Sequence, residues 1–168
     1  VVDDSSIEEF KSRYGVSTVC GHATITGVAC GFIGNNGPID TNGATKAAQF
    51  IQLCDQSDLP IIFFNNTSGY MVGTQYEHAG MIKHGSKMIQ AVANARVPKL
   101  SLYVGASYGA GNYGMCGWAY EPDFLFAWPN ARTGVMAGQS AATTMTEVAK
   151  VGAARKGKPI PEAQLEAQ

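Results

Sequence analysis

The sequence predicts an α/β fold, a mostly parallel sheet layered with helices, and three observations carry that prediction. Short apolar runs of β-branched and aromatic residues alternate, about three times, with longer segments whose apolar residues recur every three or four positions. Two of the apolar runs, 60–65 and 99–104, end in glycine-rich loops of the kind that join a strand to a helix. A length of 168 residues, 45% hydrophobic and 15% charged, suffices for one domain with a buried core. Crossovers between parallel strands are right-handed, so both glycine loops belong at the same sheet edge, where open α/β folds bind ligands.

Each element has its own signal. Residues 1–14 are polar, with Ile7, Phe10 and Tyr14 spaced for one helical face. Residues 16–33 read as two strands around Gly27, and Asn35-Asn-Gly-Pro38 is a turn. A helix starts at Thr41 or Asn42 behind a polar cap and buries Ala44, Ala47, Ala48, Ile51 and Cys54. The run 60–65 is apolar up to its closing Asn65, as in strands covered on both faces. The longest helix is expected at 75–96, burying Met81, Ile82, Gly85, Met88, Ile89, Val92 and Ala93. A strand at 99–104, a glycine loop, a short helix at 112–118, a strand at 123–128, a turn at 129–134 and a helix at 139–150 follow. The expected domain is 1–155, truncated, and the polar tail 156–168 reads as the start of a cut-off segment.

Composition excludes several function classes. A net charge of −1, with aromatics not interleaved with Lys or Arg, lacks the basic footprint of nucleic-acid or membrane-surface binding. No apolar run approaches the ~18 residues a membrane span needs. Cys20, Cys30, Cys54 and Cys116 form no C-x-x-C pair, which argues for reduced, buried thiols in an intracellular setting and against a metal site. His78 and His84 are expected at the surface.

The functional question concentrates on Gly105-Ala-Ser-Tyr-Gly-Ala-Gly-Asn-Tyr-Gly-Met-Cys-Gly117. Its Gly109-Ala-Gly-Asn-Tyr-Gly114 matches the dinucleotide G-x-G-x-x-G, yet no Asp or Glu stands about 20 positions on to bind a ribose. Gly105-Ala-Ser-Tyr-Gly109 matches a nucleophile elbow, but all three histidines precede Ser107, against the Ser–acid–His order of that fold. Gly80 to Gly85 spaces like a phosphate loop but lacks the following Lys-Ser/Thr and sits in a helix, where close helix packing explains the glycines better. The second loop, Asn66-Thr-Ser-Gly-Tyr-Met-Val-Gly73, belongs beside the first, and neither tip carries His, Asp or Glu. Backbone donors without a resident base suit stabilisation of an oxyanion while substrate or cofactor supplies the base.

Seven stretches together resemble one family. They are Asn35-Asn-Gly-Pro38, Gln49-Phe-Ile-Gln-Leu-Cys54, the 66–73 loop, Ser86-Lys-Met88, Ala95-Arg-Val-Pro-Lys99, residues 107–117 and Trp128-Pro-Asn-Ala-Arg132. The chain resembles the C-terminal half of the β (carboxyltransferase) subunit of biotin-dependent acyl-CoA carboxylases, nearest the methylcrotonoyl-CoA and geranyl-CoA enzymes. The resemblance implies a crotonase-like β-β-α spiral. It implies that an N-terminal half, absent here, binds the acyl-CoA, and that the site forms between protomers of a homo-oligomer. The cofactor is then biotin, arriving as carboxybiotin on a biotin carboxylase/carrier α subunit, with biotin's own ureido nitrogen as base. By the same resemblance the amides of Ala110 and Gly111 hold the biotin oxyanion. Gly69, Tyr70, Val72 and Gly109 border the biotin, and Tyr113 bears on acyl selection. The implied compartment is the cytoplasm in a bacterium and the mitochondrial matrix in a eukaryote. The family pattern has glycine where Ala106 stands and arginine where Trp118 stands, and neither departure touches residues 110 and 111. A stand-alone crotonase-like hydratase or hydrolase and a non-catalytic oligomerising fragment are the alternative readings.

Overall fold

A computed structural model describes residues 2–5, 7–155 and 157. Except for Gly157, the 156–168 tail lies outside the described residues. The chain divides into two compact units, Val1–Val135 and Met136–Gln168.

The first unit is built on a seven-stranded sheet whose spatial order follows the sequence. β1 (Glu8–Glu9) and β2 (Thr18–Ile25) pair antiparallel, and β2 forms a hairpin with β3 (Val28–Asn35) through Thr26 and Gly27. Both turn residues have positive φ, 50° and 80°, the geometry that matches hairpin twist. α1 (Thr41–Gln56) crosses to β4 (Ile61–Thr67), parallel to β3. α2 (Thr74–His78) and α3 (Met81–Asn94) lead to β5 (Lys99–Tyr108), parallel to β4. α4 (Gly109–Gly114) follows directly, and the short β6 (Phe124–Ala127) and β7 (Arg132–Gly134) both pair parallel with β5. In the second unit, α5 (Gly138–Arg155) has no buried residue.

α1 and α3 pack on one sheet face. There Cys20, Ile33, Ile61 and Phe63 meet Ala44, Ala47, Phe50, Ile51, Cys54, Met88 and Val92 in the main core. Lys99 Nζ donates to the Val92 and Ala95 carbonyls at 3.3 and 3.1 Å, placing a cation at the C-terminal end of α3. The opposite face carries Cys30, Phe32 and Ile62, with Phe64, Leu100 and Leu102 around them. Among the described residues of the first unit no helical residue joins that second cluster, so within this unit α1 and α3 cover 60–65 on one face, not both.

Four further expectations need correction. The described residues of 1–14 form no α-helix: Glu8 and Glu9 add to the sheet edge because Gly21 leaves room for Ile7, and of Ile7, Phe10 and Tyr14 it is Phe10 that packs on the main core, 5.5 Å from Phe50. The 75–96 helix is two helices, broken where Gly80 takes φ +85°, and α1 and α5 are longer than either. Ile82 is 76% exposed and Ala93 is exposed, since the buried stripe of α3 runs through Met81, Gly85, Met88 and Val92. His84 is half-buried, its Nδ1 2.9 Å from Thr45 Oγ1 on α1, whereas His78 is exposed as expected.

Candidate active site

β4 and β5 point the same way, and their ends deliver both glycine loops to one sheet edge. β5 runs four residues beyond the expected strand, to Tyr108, and the loop expected there is a strand–helix elbow. The elbow turns at Gly109, whose φ of +54° is costly for any residue with a Cβ. α4 therefore starts three residues earlier than expected and ends at Gly114, with a 3₁₀ turn at Trp118–Tyr120 after it. Ala110 and Gly111 stand in the first turn of α4, where N–H groups have no partner within the helix.

The 66–73 loop is pinned beside α4 by backbone bonds. Ile39 N–H donates to the Gly69 carbonyl and Met71 N–H to the Ile39 carbonyl, both at 2.9 Å. Thr67 Oγ1 closes the turn onto Gly69 from both sides at 3.2 Å. A Cβ on Gly111 would lie 2.7 Å from Gly69 Cα, so the two loops touch through bare backbone. The structure thus brings Gly69 and Gly111 into direct contact, both buried, while Ala110 is exposed.

Ala110 borders two clefts. The first, about 320 Å³, is lined by Tyr70, Met71, Val72, Ile82, Ile89 and Glu77 and is almost wholly apolar. The second, about 520 Å³, is lined by Gly109, Tyr113, Trp118, Leu125, Val135 and the ring of Tyr103. Tyr70 and Val72 thus face one cleft, Gly109 and Tyr113 the other, and Ala110 belongs to both. A larger polar groove of about 720 Å³ between α1 and α3 contains none of the expected site residues.

Tyr70 is held from behind. Its Oη donates to the Gly85 carbonyl at 3.3 Å and lies 3.6 Å from Met88 Sδ, and burial pushes its phenol well above the usual tyrosine value. Glu77, the one carboxylate on either cleft among the described residues, escaped the sequence reading. So did Ile82 and Ile89: seven residues apart on α3, they flank the buried stripe and spread its apolar arc beyond what the core uses. Trp118, 78% exposed, and Val135 were also missed as cleft residues. Among the described residues no cluster of His, Cys, Asp and Glu is placed to hold a metal.

The carboxyl transferase domain model matches residues 1–168. The chain belongs to the carboxyl transferase domain family. Within it, the chain is 50% identical over 164 residues to a probable biotin-dependent acyl-coenzyme A carboxylase β2 subunit of Mycobacterium tuberculosis, covering 97% of this chain and 31% of the relative. It is 47% identical over 167 residues to the mitochondrial methylcrotonoyl-CoA carboxylase β chain of Arabidopsis thaliana, covering 99% and 28%. The crystal structure of the P. aeruginosa geranyl-CoA carboxylase β subunit superposes with a TM-score of 0.87 at 61% identity, over 89% of this chain and 29% of that one. The transcarboxylase 12S hexamer core, with hydrolysed methylmalonyl-coenzyme A bound, gives 0.83 at 32% identity, over 89% and 30%. The fold is therefore the crotonase-like one of the carboxyl transferases, as the resemblance implied. The chain spans about three-tenths of the length of these relatives.

Proposed function

We propose that this chain is the biotin-facing part of an acyl-CoA carboxylase carboxyltransferase. It acts within an assembly that also holds an acyl-CoA-binding half and a biotin-carrying α subunit, and it assembles with copies of itself. In this reading residues 1–155 are the biotin-side domain and 156–168 the start of a further segment. The acyl-CoA is of the methylcrotonoyl or geranyl class, and the compartment is the bacterial cytoplasm or the mitochondrial matrix. The observation that carries the reading is the position of Ala110, exposed in the first turn of α4 at the junction of two clefts.

Carboxybiotin supplies the CO₂ and, after giving it up, the base that removes the substrate's α-proton. The chain's own residues then need to position and stabilise. The Ala110 and Gly111 amides donate to the oxygen that becomes negative, a task at which one well-aimed donor is worth about 100-fold or more in rate. Tyr70 and Val72 wall the apolar cleft, Gly69 backs the Gly111 peptide, Gly109 sets the elbow, and Tyr113, on the second cleft, bears on the acyl group. Scarcity of acids and bases around the clefts fits a reaction whose base arrives with the cofactor.

The test exchanges this segment into a related β subunit and measures carboxyl transfer with the biotinylated partner. Gly111→Pro, which deletes one donor and also sets a Cβ against the Gly69 backbone, is expected to lower kcat at least ~100-fold. Unchanged transfer removes the oxyanion role. A second reading has one observation in its favour, the Glu77 carboxylate on the apolar cleft. There the chain is a stand-alone acyl-CoA hydratase or hydrolase with Glu77 as base. Turnover of acyl-CoA by the chain alone, abolished in Glu77→Gln, would establish it.

A further inference from the structure

α4 is a poor helix by composition. Three of its six residues, Gly109, Gly111 and Gly114, are glycines, and the element is too short to hold itself together. Something outside it must fix where its first-turn peptides point. Beneath it lie Asn65 and Ser107, 0% and 1% exposed, polar side chains that the catalytic reading above does not use.

Their hydrogen bonds run in one direction. Asn112 Nδ2 donates to Ser107 Oγ at 2.8 Å, Ser107 Oγ donates to Asn65 Oδ1 at 3.0 Å, and Asn65 Nδ2 donates to the Met115 carbonyl at 3.1 Å. The path leaves α4 at Asn112, passes through β5 and β4, and returns to α4 at its C-cap residue. The second N–H of Asn112 goes to Tyr103 Oη at 2.9 Å, and Tyr103 Oη also accepts Trp118 N–H at 3.3 Å. The serine has one proton and spends it on Asn65, and the Asn112 amide has two, both used. Reversing Asn65 would set its carbonyl oxygen against the Met115 carbonyl. A Cβ on Gly117 would collide with Asn112 Oδ1, so that glycine is what lets the side chain lie where it does.

We infer that Asn65, Ser107 and Asn112 form a closed hydrogen-bond circuit that positions the Ala110 and Gly111 peptides, and that they are positioning residues for carboxyl transfer. The catalytic half of this rests on the proposed function; the structural half does not. Ser107→Ala opens the circuit at its middle link, and Tyr103→Phe loosens Asn112 by one bond while keeping the ring.

Amide hydrogen exchange of Met115, Cys116 and Gly117, whose N–H groups bond to the Gly111, Tyr113 and Asn112 carbonyls of α4, is expected to accelerate in the full chain at least about tenfold in Ser107→Ala and by less in Tyr103→Phe. Placed in the assembled enzyme, Ser107→Ala is expected to lower kcat roughly 10- to 100-fold with KM for acyl-CoA within about twofold, the mark of misplaced donors. Exchange unchanged in both variants overturns the circuit. If Ser107→Ala fails to fold, Tyr103→Phe decides alone. Faster exchange with kcat intact upholds the circuit and removes Ala110 and Gly111 from the chemistry.

Discussion

At the scale of single residues, several glycines are defined by the side chain that occupies their missing Cβ. Gly85 and Gly114 both face Tyr70, whose ring and hydroxyl fill the space a Cβ would take. Gly114→Ala should displace the Tyr70 hydroxyl and cost about 1–3 kcal/mol in urea unfolding, as overpacking does. Tyr70→Phe, losing one bond 3.3 Å long, should cost about 1 kcal/mol or less. The four thiols were legible as buried and unpaired, and all four are. Burial pushes Cys20 and Cys54 up to about 12 and Cys116 to about 11. At pH 8 almost no thiolate exists at these three, so a thiol reagent should label them only as fast as the chain unfolds. Labelling of the folded chain within minutes would contradict that burial. That Gly85 and Gly114 meet Tyr70 was not legible, because they lie 15 and 44 residues from it in sequence.

Among the elements, capping explains the starts that could be read. Asp40 Oδ1 accepts the Gly43 N–H at 2.6 Å at the head of α1, so Asp40→Ala should cost about 1 kcal/mol by chemical unfolding. Two other aspartates tie elements together. Asp3 accepts Thr26 N–H and Gly27 N–H at 2.9 and 2.8 Å and closes the β2–β3 turn; Asp55 on α1 accepts Arg96 N–H at 2.6 Å. The Gly27 and Thr26 amides hold Asp3 below its ordinary 3.8, and the Arg96 amide, helped by the Arg96 charge, does the same for Asp55. A lowered folded value means each carboxylate favours the folded state above the unfolded value near 3.8. That contribution fades as pH falls through the lower folded value. A Tm–pH curve should therefore drop below about pH 4, and Asp3→Asn with Asp55→Asn should flatten that limb. A drop of equal depth in the double variant would assign acid sensitivity to other groups. The broken α2–α3 pair shows what periodicity misses: the pattern continues through Gly80, but a left-handed backbone there ends one helix and starts the next.

For the molecule as a whole, register aligns apolar side chains across four strands. Phe32, Ile62, Leu100 and Phe124 form one row, and Phe64, Leu102 and Phe126 the next, on the face opposite α1 and α3. Phe124 and Phe126 are 61% and 55% exposed and stack 6.2 Å apart. A contiguous apolar surface of this kind promotes association. Phe124→Lys with Phe126→Lys should reduce self-association in sedimentation and dye binding, with Tm changed by only a few degrees. Unaltered association would place the contact elsewhere. By itself the sequence determined the order of β2 to β6 and of the helices between them, though not β1, β7 or the α2–α3 break, together with the shared edge of the two glycine loops and the family, because periodicity, turn chemistry and motif spacing are local properties. Tertiary structure decided the rest: that β5 runs on to the Gly109 elbow, that Ala110 sits between two clefts, and that Asn112, Ser107 and Asn65 lead from α4 through two strands back to the Met115 carbonyl. Those facts depend on backbones touching through glycines and on hydrogen-bond partners from separate strands, and neither is written in the neighbouring residues.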